Sequence, residues 1–539
     1  MPVVIGDAPL SRHDVVQVAR FDAPVELSAA ALLSLEAARE VIDGLAADAR
    51  PQYGISTGFG ALANTAIAPG DRTRLQQSLI RSHAASSGEA VEREVVRGLM
   101  LLRLQTLATG RTGIRRATAE LYAGMLNAGI TPIVGEYGSL GCSGDLAPLS
   151  HVALAAMGEG RVMAPGDGGE DEAMDASAAL ERAGLAPVVL AEKEGLALIN
   201  GTDGMLAMLC LALADLDKLL DTADLTAAMS VEGLLGTDAP FAADLMALRP
   251  HPGQAASAAN IAALLAGSPV VASHKGPEDT RVQDAYSLRC APQVHGTARD
   301  TAAHAARVAE IELASAIDNP VVLPDGRVVS NGNFHGAPIA AVLDFLAIVI
   351  ADVASMSERR SDRFLDPARS FGLPPFLADD PGVDSGLMIA QYTQAGIVSE
   401  LKRLASPASV DSIPSSAMQE DHVSMGWGGA RKLRRSVDGL GRVLAIELMT
   451  AARGIELRDE PAGPRTGRVI EALRRQVPGI GPDRFLAADI EASVAFTVGG
   501  GALLAADLLD RVEAWAPRRD YSYTAETTTF RGTDTEGDR

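Results

Sequence analysis

A serine between a cysteine and a glycine is the part of this chain with the most unusual chemical potential. The three residues are Cys142, Ser143 and Gly144. Glycine lacks a Cβ, so the amide nitrogen of Gly144 can approach the carbonyl carbon of Cys142 and close a ring. If Ser143 also loses its hydroxyl as water, the product is a 4-methylidene-imidazol-5-one, an electrophile that no ordinary side chain provides. Only the carbonyl of Cys142 enters the ring, so a cysteine can occupy that position.

A Ser-Gly pair alone is most often an ordinary turn, so the wider sequence has to decide. Segment 137–151 resembles the signature of the methylidene-imidazolone ammonia-lyases and aminomutases, most of which carry Ala-Ser-Gly where this chain has Cys-Ser-Gly. The resemblance covers roughly residues 5 to 515 and is strongest to the histidine-using branch of that family. It includes YGISTGFG at 53–60, NGT at 200–202, QDAYSLR at 283–289, GNFH at 332–335 and QEDHVSM at 419–425.

The resemblance implies a role for each matching residue. The implied catalytic residues are Tyr53, Cys142, Ser143, Gly144, Asn200, Tyr286 and Glu420, and the implied substrate-binding residues are His83, Gln283, Arg289 and Phe334. Tyr53 would remove the β-proton of the substrate, and Arg289 would bind its carboxylate, because a guanidinium suits bidentate capture of that group. Asn200 and Gln283 would bind the ring oxygen or the substrate, while Tyr286 and Phe334 would line the pocket.

The residue at position 420 points to the substrate. Relatives that use phenylalanine or tyrosine usually carry Gln where this chain has Glu420, and His83 lies in a context typical of the histidine-using branch. Glu420 and His83 would bind the two nitrogens of an imidazole, which has one donor and one acceptor when neutral. The implied reaction is elimination of ammonia from L-histidine to give trans-urocanate. A tyrosine or phenylalanine ammonia-lyase or aminomutase is the alternative within the same chemistry.

Two further kinds of protein compete with this interpretation. Segment 54–58 matches the Gly-x-Ser-x-Gly elbow of serine hydrolases, with Ser56 as nucleophile, but that elbow needs a strand before it and a helix directly after it. A catalytically silent helical scaffold is the other alternative. The acidic cluster at 420–422 predicts no metal site, because no second His or Cys cluster has ligand spacing. The only cofactor expected is therefore the group made from the chain itself.

Composition indicates the class of protein and its surroundings. The chain has 539 residues, a hydrophobic fraction of 47% and an aromatic fraction of only 4%, so Ala, Leu, Val and Ile must build the core, and the first two favour helix. A net charge of −22 argues against binding to nucleic acid or to an anionic membrane. Three cysteines in so long a chain form no disulfide framework, which favours a reducing cytoplasm. The family resemblance implies a homotetramer whose sites are shared between subunits.

Apolar periodicity predicts a mainly α protein, a long packed helical bundle with a smaller N-terminal subdomain that carries a mobile loop. The subdomain spans 1–110 with the Tyr53 loop and the His83 helix, the helical domain spans 111–520, and a flexible tail spans 521–539. Predicted core helices cover 205–220, 301–316, 336–356 and 430–452, and the membrane-like stretch among them, 336–356, is interpreted as a buried helix. Strands are predicted only within 321–329 and at 188–190.

Overall fold

The computed structural model describes residues 2–47, 54–58, 65–166, 168–277, 279 and 282–508. Tyr53 and the predicted tail at 521–539 lie outside these residues. The division of the chain at residue 110 stays a prediction. Helices dominate the described residues, which confirms the mainly α class.

The helices differ widely in length. In chain order they are α1 (Arg12–Phe21), α2 (Ala29–Ala47), α3 (Arg72–His83), α4 (Arg93–Ala108), α5 (Arg116–Asn127), α6 (Leu146–Ala156), α7 (Ala176–Arg182), α8 (Glu194–Ile199), α9 (Asp203–Gly233), α10 (Ala243–Ala247), α11 (Pro252–Leu265), α12 (Pro269–Ala272), α13 (Tyr286–Arg289), α14 (Ala291–Leu313), α15 (Ala337–Leu365), α16 (Met388–Leu404), α17 (Gly426–Glu456), α18 (Pro464–Leu473), α19 (Leu486–Val498) and α20 (Gly501–Ala505).

The strands are short and peripheral. They are β1 (Val3–Ile5), β2 (Val25–Leu27), β3 (Ser87–Ala90), β4 (Thr131–Pro132), β5 (Gly135–Tyr137), β6 (Arg161–Pro165), β7 (Asp171–Asp175), β8 (Val321–Val322) and β9 (Val328–Val329). β1 pairs with β2 in parallel, while β3–β5, β4–β6–β7 and β8–β9 are antiparallel. The hairpin predicted within 321–329 is confirmed. The strand predicted at 188–190 is wrong: after Pro187 the chain is irregular, and Val189 is exposed rather than packed in a sheet.

Four long helices form the core of the molecule. They are α9, α14, α15 and α17, and each contains one of the four predicted core helices. α9 is rich in Ala and Leu and buries almost its whole circumference, as expected of a helix that is apolar on every side. α15 is the one described helix long and apolar enough to cross a membrane by length and composition. It packs against α9, α14, α16 and α17, and 61% of its most apolar window is buried.

Three of these core helices run in the same direction. At one end, the first turns of α15 and α17 approach Met205 in the first turn of α9. At the other end, Glu447 of α17 accepts hydrogen bonds from Thr226 of α9 and Ser357 of α15. The N-termini of the three helices therefore lie together, and so do their C-terminal halves.

Candidate active site

The Cys142-Ser143-Gly144 segment forms a tight turn that only small residues can make. Gly141 and Gly144 have φ angles of 66° and 80°, in the left-handed region that favours glycine. Gly144 forms a parallel bridge with Gly201, and the amide of Asp145 donates to the Gly201 carbonyl at 2.7 Å. A Cβ on Gly144 would lie 1.9 Å from that carbonyl oxygen. The structure thus requires glycine at the position whose amide nitrogen would close a ring.

Four helices begin at this turn. α6 starts at Leu146 directly after it, and the first-turn amide of Met205 in α9 donates to Asp145 at 2.9 Å. α15 and α17 begin beside them, since a Cβ on Gly336 or Gly426 would lie 2.7 Å from the sulfur of Met205. A helix N-terminus carries partial positive charge. The turn therefore lies where four such ends favour negative charge.

Two buried side chains that the sequence did not single out hold the turn. The carboxylate of Asp145 accepts from Ser139 Oγ at 2.9 Å and from the Met205 amide, while Ser424 Oγ donates to the Gly141 carbonyl at 3.0 Å. Burial raises the pKa of Asp145 to about 7. The signal for Asp145 was its place directly after Gly144. Nothing in the sequence near Ser424 indicated this contact, because it joins residues far apart in the chain.

His83 is the last residue of α3, and its ring is oriented by the chain. Its Nδ1 lies 2.9 Å from the Leu79 carbonyl oxygen. A carbonyl only accepts, so Nδ1 carries the proton and Nε2 is left as the acceptor of the neutral ring. Burial lowers the pKa of His83 below its usual value, although the Leu79 carbonyl and the charge of Glu420 oppose that shift. His83 is therefore neutral at pH 7.

Glu420 lies beside both His83 and the turn. Ser415 Oγ donates to its carboxylate at 2.6 Å, and the backbones of the two residues form an antiparallel bridge. Burial, together with the charge of Glu420 and a hydrogen bond to it, raises the pKa of the Cys142 thiol to about 12. His83, Glu420 and the Cys142 turn thus form one cluster within a single chain.

Asn200 and Phe334 lie at the same end of the core. Asn200 is 1% exposed, and its Nδ2 donates to the Asn319 carbonyl at 2.8 Å. Its Oδ1 is buried without a hydrogen-bond partner among the described residues. Phe334 is half-buried, two residues before Gly336 at the start of α15. Arg103, which sequence analysis missed, donates to the Asn200 carbonyl at 2.9 Å, and its place inside the apolar run of α4 was the available signal.

Gln283, Tyr286 and Arg289 lie at the opposite end of the core. Tyr286 and Arg289 share a face of α13, with the guanidinium carbon 4.8 Å from the Tyr286 ring centroid. Asp284, next to Gln283, accepts from the amide of Thr237 at 2.8 Å, just beyond the C-terminus of α9. Asp145 contacts the first turn of α9. Nearly the whole length of that helix, about 45 Å, therefore separates the residues around α13 from those around the Cys142 turn. One chain therefore does not bring all its predicted site residues together.

Ser56 has surroundings unlike those of a hydrolase nucleophile. It is 5% exposed, and its carbonyl accepts from the amide of Ile67 at 2.9 Å. Gly58 in turn donates to the Thr65 carbonyl at 3.0 Å. The chain after Ser56 thus pairs with an extended segment, whereas a nucleophile elbow continues directly into a helix. In the ranges given above, no three His, Cys, Asp or Glu side chains are placed to hold a metal ion.

Comparison with known proteins agrees with this geometry. Residues 10–475 match the family described as aromatic amino acid lyase. Histidine ammonia-lyase of Streptomyces coelicolor is 62% identical over 508 residues, which cover 94% of this chain and 98% of that protein. The crystal structure of histidine ammonia-lyase from Trypanosoma cruzi superposes with a TM-score of 0.86 at 39% identity, covering 95% of this chain and 96% of that one.

A second solved structure broadens the comparison. Tyrosine aminomutase from Streptomyces globisporus has a TM-score of 0.89 at 36% identity, covering 95% of this chain and 99% of that one. Lyases and aminomutases thus share this helical core. Because the family match spans most of the chain and includes the Cys142 turn with its four converging helices, the chain belongs to the aromatic amino acid lyase family.

Proposed function

We propose that this protein is a histidine ammonia-lyase, which eliminates ammonia from L-histidine to give trans-urocanate in histidine degradation. The observation that carries the proposal is the cluster of His83 and Glu420 beside the Cys142-Ser143-Gly144 turn. Two polar groups suited to the imidazole nitrogens lie next to the proposed site of chemistry. The 62% identity to the Streptomyces coelicolor enzyme along nearly the whole chain supports the same substrate.

We propose that Cys142, Ser143 and Gly144 form 4-methylidene-imidazol-5-one, so that no diffusible cofactor is needed. The residues present fit that group, because Gly144 has a positive φ and no space for a Cβ. Once formed, the group would supply an electrophile that activates the amine of the substrate for departure. The four helix N-termini at the turn favour electron density there, without any reorganisation during the reaction.

The chain's own residues would bind the substrate imidazole through a shared proton. Neutral His83 presents Nε2 as an acceptor, and the Glu420 carboxylate is an acceptor too. A neutral imidazole has only one N–H to donate, so the three groups need one additional proton among them. Asn200 Oδ1, buried and unpaired, is suited to accept from the substrate amine.

The other end of the core would supply the rest of the site. Arg289 would bind the substrate carboxylate. Tyr286 would line the pocket for the substrate ring together with Phe334, which lies at the end of the core that carries the Cys142 turn. Gln283 would add a hydrogen bond. Tyr53 stays the proposed base for the β-proton, and a phenol with an ordinary pKa of about 10 needs a neighbour that helps its deprotonation.

The proposed site residues around the Cys142 turn and those around α13 lie at opposite ends of α9. We therefore propose a homotetramer in which different copies complete each site. Tyr286, itself a proposed site residue, is 71% exposed, and Val282, next to the proposed site residue Gln283, is 96% exposed. The core helix α15 also exposes Phe345 and Ile348. Exposed apolar side chains of this kind mark surfaces where proteins associate. All three cysteines of the chain are unpaired, which supports a cytoplasmic location.

The decisive experiment combines turnover with intact mass. Purified protein is incubated with L-histidine, L-tyrosine and L-phenylalanine, and urocanate absorbance and ammonia release are followed. We expect histidine to be preferred and the chain to be lighter than its sequence by two waters. Ser143→Ala should fold, keep its full mass and lose nearly all turnover. An active preparation with unmodified mass would refute the prosthetic group, and preference for tyrosine would refute the substrate.

An aminomutase is the second candidate, favoured by the TM-score of 0.89 to the tyrosine aminomutase structure. The same incubation distinguishes the two activities. An aminomutase would convert the α-amino acid into its β-isomer, which chromatography detects, whereas a lyase would release ammonia and the unsaturated acid. The position of Glu420 beside His83 favours histidine over tyrosine.

A further inference from the structure

A buried ion pair links the three parallel core helices to the short helix that carries Tyr286 and Arg289. Arg360 of α15 and Glu447 of α17 are both completely buried, and the guanidinium contacts the carboxylate through Nε and through Nη2, the latter at 2.9 Å. The remaining nitrogen, Nη1, donates to the Ser287 carbonyl oxygen at 3.2 Å. One side of the guanidinium thus binds the core and the other binds α13.

The carboxylate of Glu447 is fully hydrogen-bonded, and this fixes the position of Arg360. Besides the guanidinium, its carboxylate accepts from Thr226 Oγ1 at 2.8 Å, Ser230 Oγ at 2.7 Å and Ser357 Oγ at 2.6 Å. Burial alone would raise the pKa of Glu447, but Arg360 and these hydroxyls lower it below its usual value. The pair is therefore charged and satisfied, which fixes the orientation of the guanidinium plane.

α13 needs such an anchor, because it has only four residues. A single turn of helix has no stability of its own, since nucleation costs more than one hydrogen bond returns. Leu288 packs into the core at 2% exposure, and Asp284 bonds the Thr237 amide one residue beyond Gln283. Between these two points, the hydrogen bond from Arg360 to Ser287 joins the core to the backbone of α13 itself.

We infer that Arg360, held by Glu447, is a positioning residue that sets the placement of Tyr286 and Arg289. This inference rests on the proposed function of those two residues. Arg360 itself does not touch the substrate. A small displacement of groups that orient a substrate can reduce the rate by about 100-fold, so the bond from Nη1 to Ser287 would affect catalysis from a distance.

Arg360→Lys is the sharpest variant for a test. Lysine keeps the positive charge beside Glu447 and nearly the same volume. Its ammonium cannot bond to both Glu447 and the Ser287 carbonyl, as the planar guanidinium does. We expect kcat/KM for histidine to fall by about 10- to 100-fold. Arg434→Lys is the matched control: Arg434 is also a buried arginine of the core, paired with Glu94 and Asp215 away from α13, and its replacement should lower Tm with activity within about twofold.

A double-mutant cycle separates positioning from general stability. In an Arg289→Lys background, where carboxylate capture is already weakened, Arg360→Lys should cost no more than about threefold, because its effect acts through α13. Equal losses in both backgrounds, or no loss in the wild-type background, would overturn the inference.

Hydrogen exchange gives a readout that does not depend on activity. The amides of Leu288, Arg289 and Cys290 bond to carbonyls within residues 285–290. Arg360→Lys should speed their exchange, whereas Arg434→Lys should not. If wild-type protein fails to deaminate histidine while this difference is observed, the proposed function fails and the anchor stands. If exchange is unchanged, the anchor itself is refuted.

Discussion

Among single residues, Glu420 is the one on which the proposed substrate choice depends most. Its carboxylate is held by Ser415 and lies close enough to His83 and Cys142 to act on the pKa of both. The sequence proposed Glu420 because relatives that use other substrates usually carry Gln there, and it proposed His83 because its context resembles the histidine-using branch. It could not show that the Nδ1–H of His83 donates to the Leu79 carbonyl oxygen, because that hydrogen bond depends on the ring orientation at the end of α3. Because that bond uses the one N–H of the neutral His83 ring, His83 and Glu420 both present acceptors to the substrate imidazole, instead of one donor and one acceptor.

We expect Glu420→Gln to reduce turnover of histidine specifically. A charge-assisted hydrogen bond contributes about 1.5–3 kcal/mol, so its loss should lower kcat/KM by at least about tenfold. The measurement compares histidine, tyrosine and phenylalanine with the wild type, Glu420→Gln and His83→Leu. If both variants lose all three substrates equally, these residues do not select the imidazole.

Cys142 should be chemically inert despite its place in the turn. With a pKa of about 12, only about 1 in 10,000 of its thiols is ionised at pH 8, and the thiolate is the reactive form. Native protein treated with iodoacetamide at pH 8 should therefore show no carbamidomethyl group on Cys142 by peptide mass mapping. Denatured protein, in which all cysteines react, is the control. Rapid labelling of Cys142 in the native state would contradict this environment.

Among the elements, the helices were predictable and their meeting point was not. Apolar periodicity placed the cores of α9, α14, α15 and α17, since each buries a long run of Ala and Leu. It did not place β1 to β7, whose two to five residues are too short to alternate convincingly. It also did not show that four helices begin at the Cys142 turn. The arrival of α9, α15 and α17 depends on contacts such as that of Ser424 with Gly141, which no local pattern reports.

The tightness of the turn predicts a contrast between two glycines. Gly144→Ala should abolish turnover and destabilise the protein, because its Cβ would collide with Gly201 at a positive φ. Gly44→Ala in α2 has open space and should stabilise the protein by about 0.5–1 kcal/mol, since alanine is the better helix former. Thermal unfolding and histidine turnover of both variants test this. A stable, active Gly144→Ala would show that the turn is less constrained than its geometry indicates.

At the scale of the whole molecule, the sequence predicted a set of site residues but not the distance between them. Nothing in the spacing of Asn200, Gln283 and Arg289 reveals that α9 carries them to opposite ends, since the chain reverses direction several times between motifs. The family resemblance alone implied sites shared between copies. The geometry of one chain gives that expectation a physical reason, because residues almost 45 Å apart cannot contact one small substrate.

Mixing two inactive variants tests the shared site directly. Ser143→Ala disables one end of the core and Arg289→Met the other, and each alone should be inactive. Co-expressed in equal amounts, they should give about a quarter of wild-type turnover, because half of the copies supply each intact end at random. Ser143→Ala mixed with Asn200→Ala, which lies at the same end, should give none. Equal results for both mixtures would show that one chain completes its own site.

The rigid length of α9 also has a genetic consequence. Alleles that damage opposite ends of this helix would fall into different complementation groups, although they belong to one gene. Paired with an unaltered allele, an allele that damages either end would leave about half of the sites intact, because each site takes each of its ends from a copy chosen at random. The severity of a substitution in a heterozygous cell would then depend on which end of α9 it occupies and on the second allele.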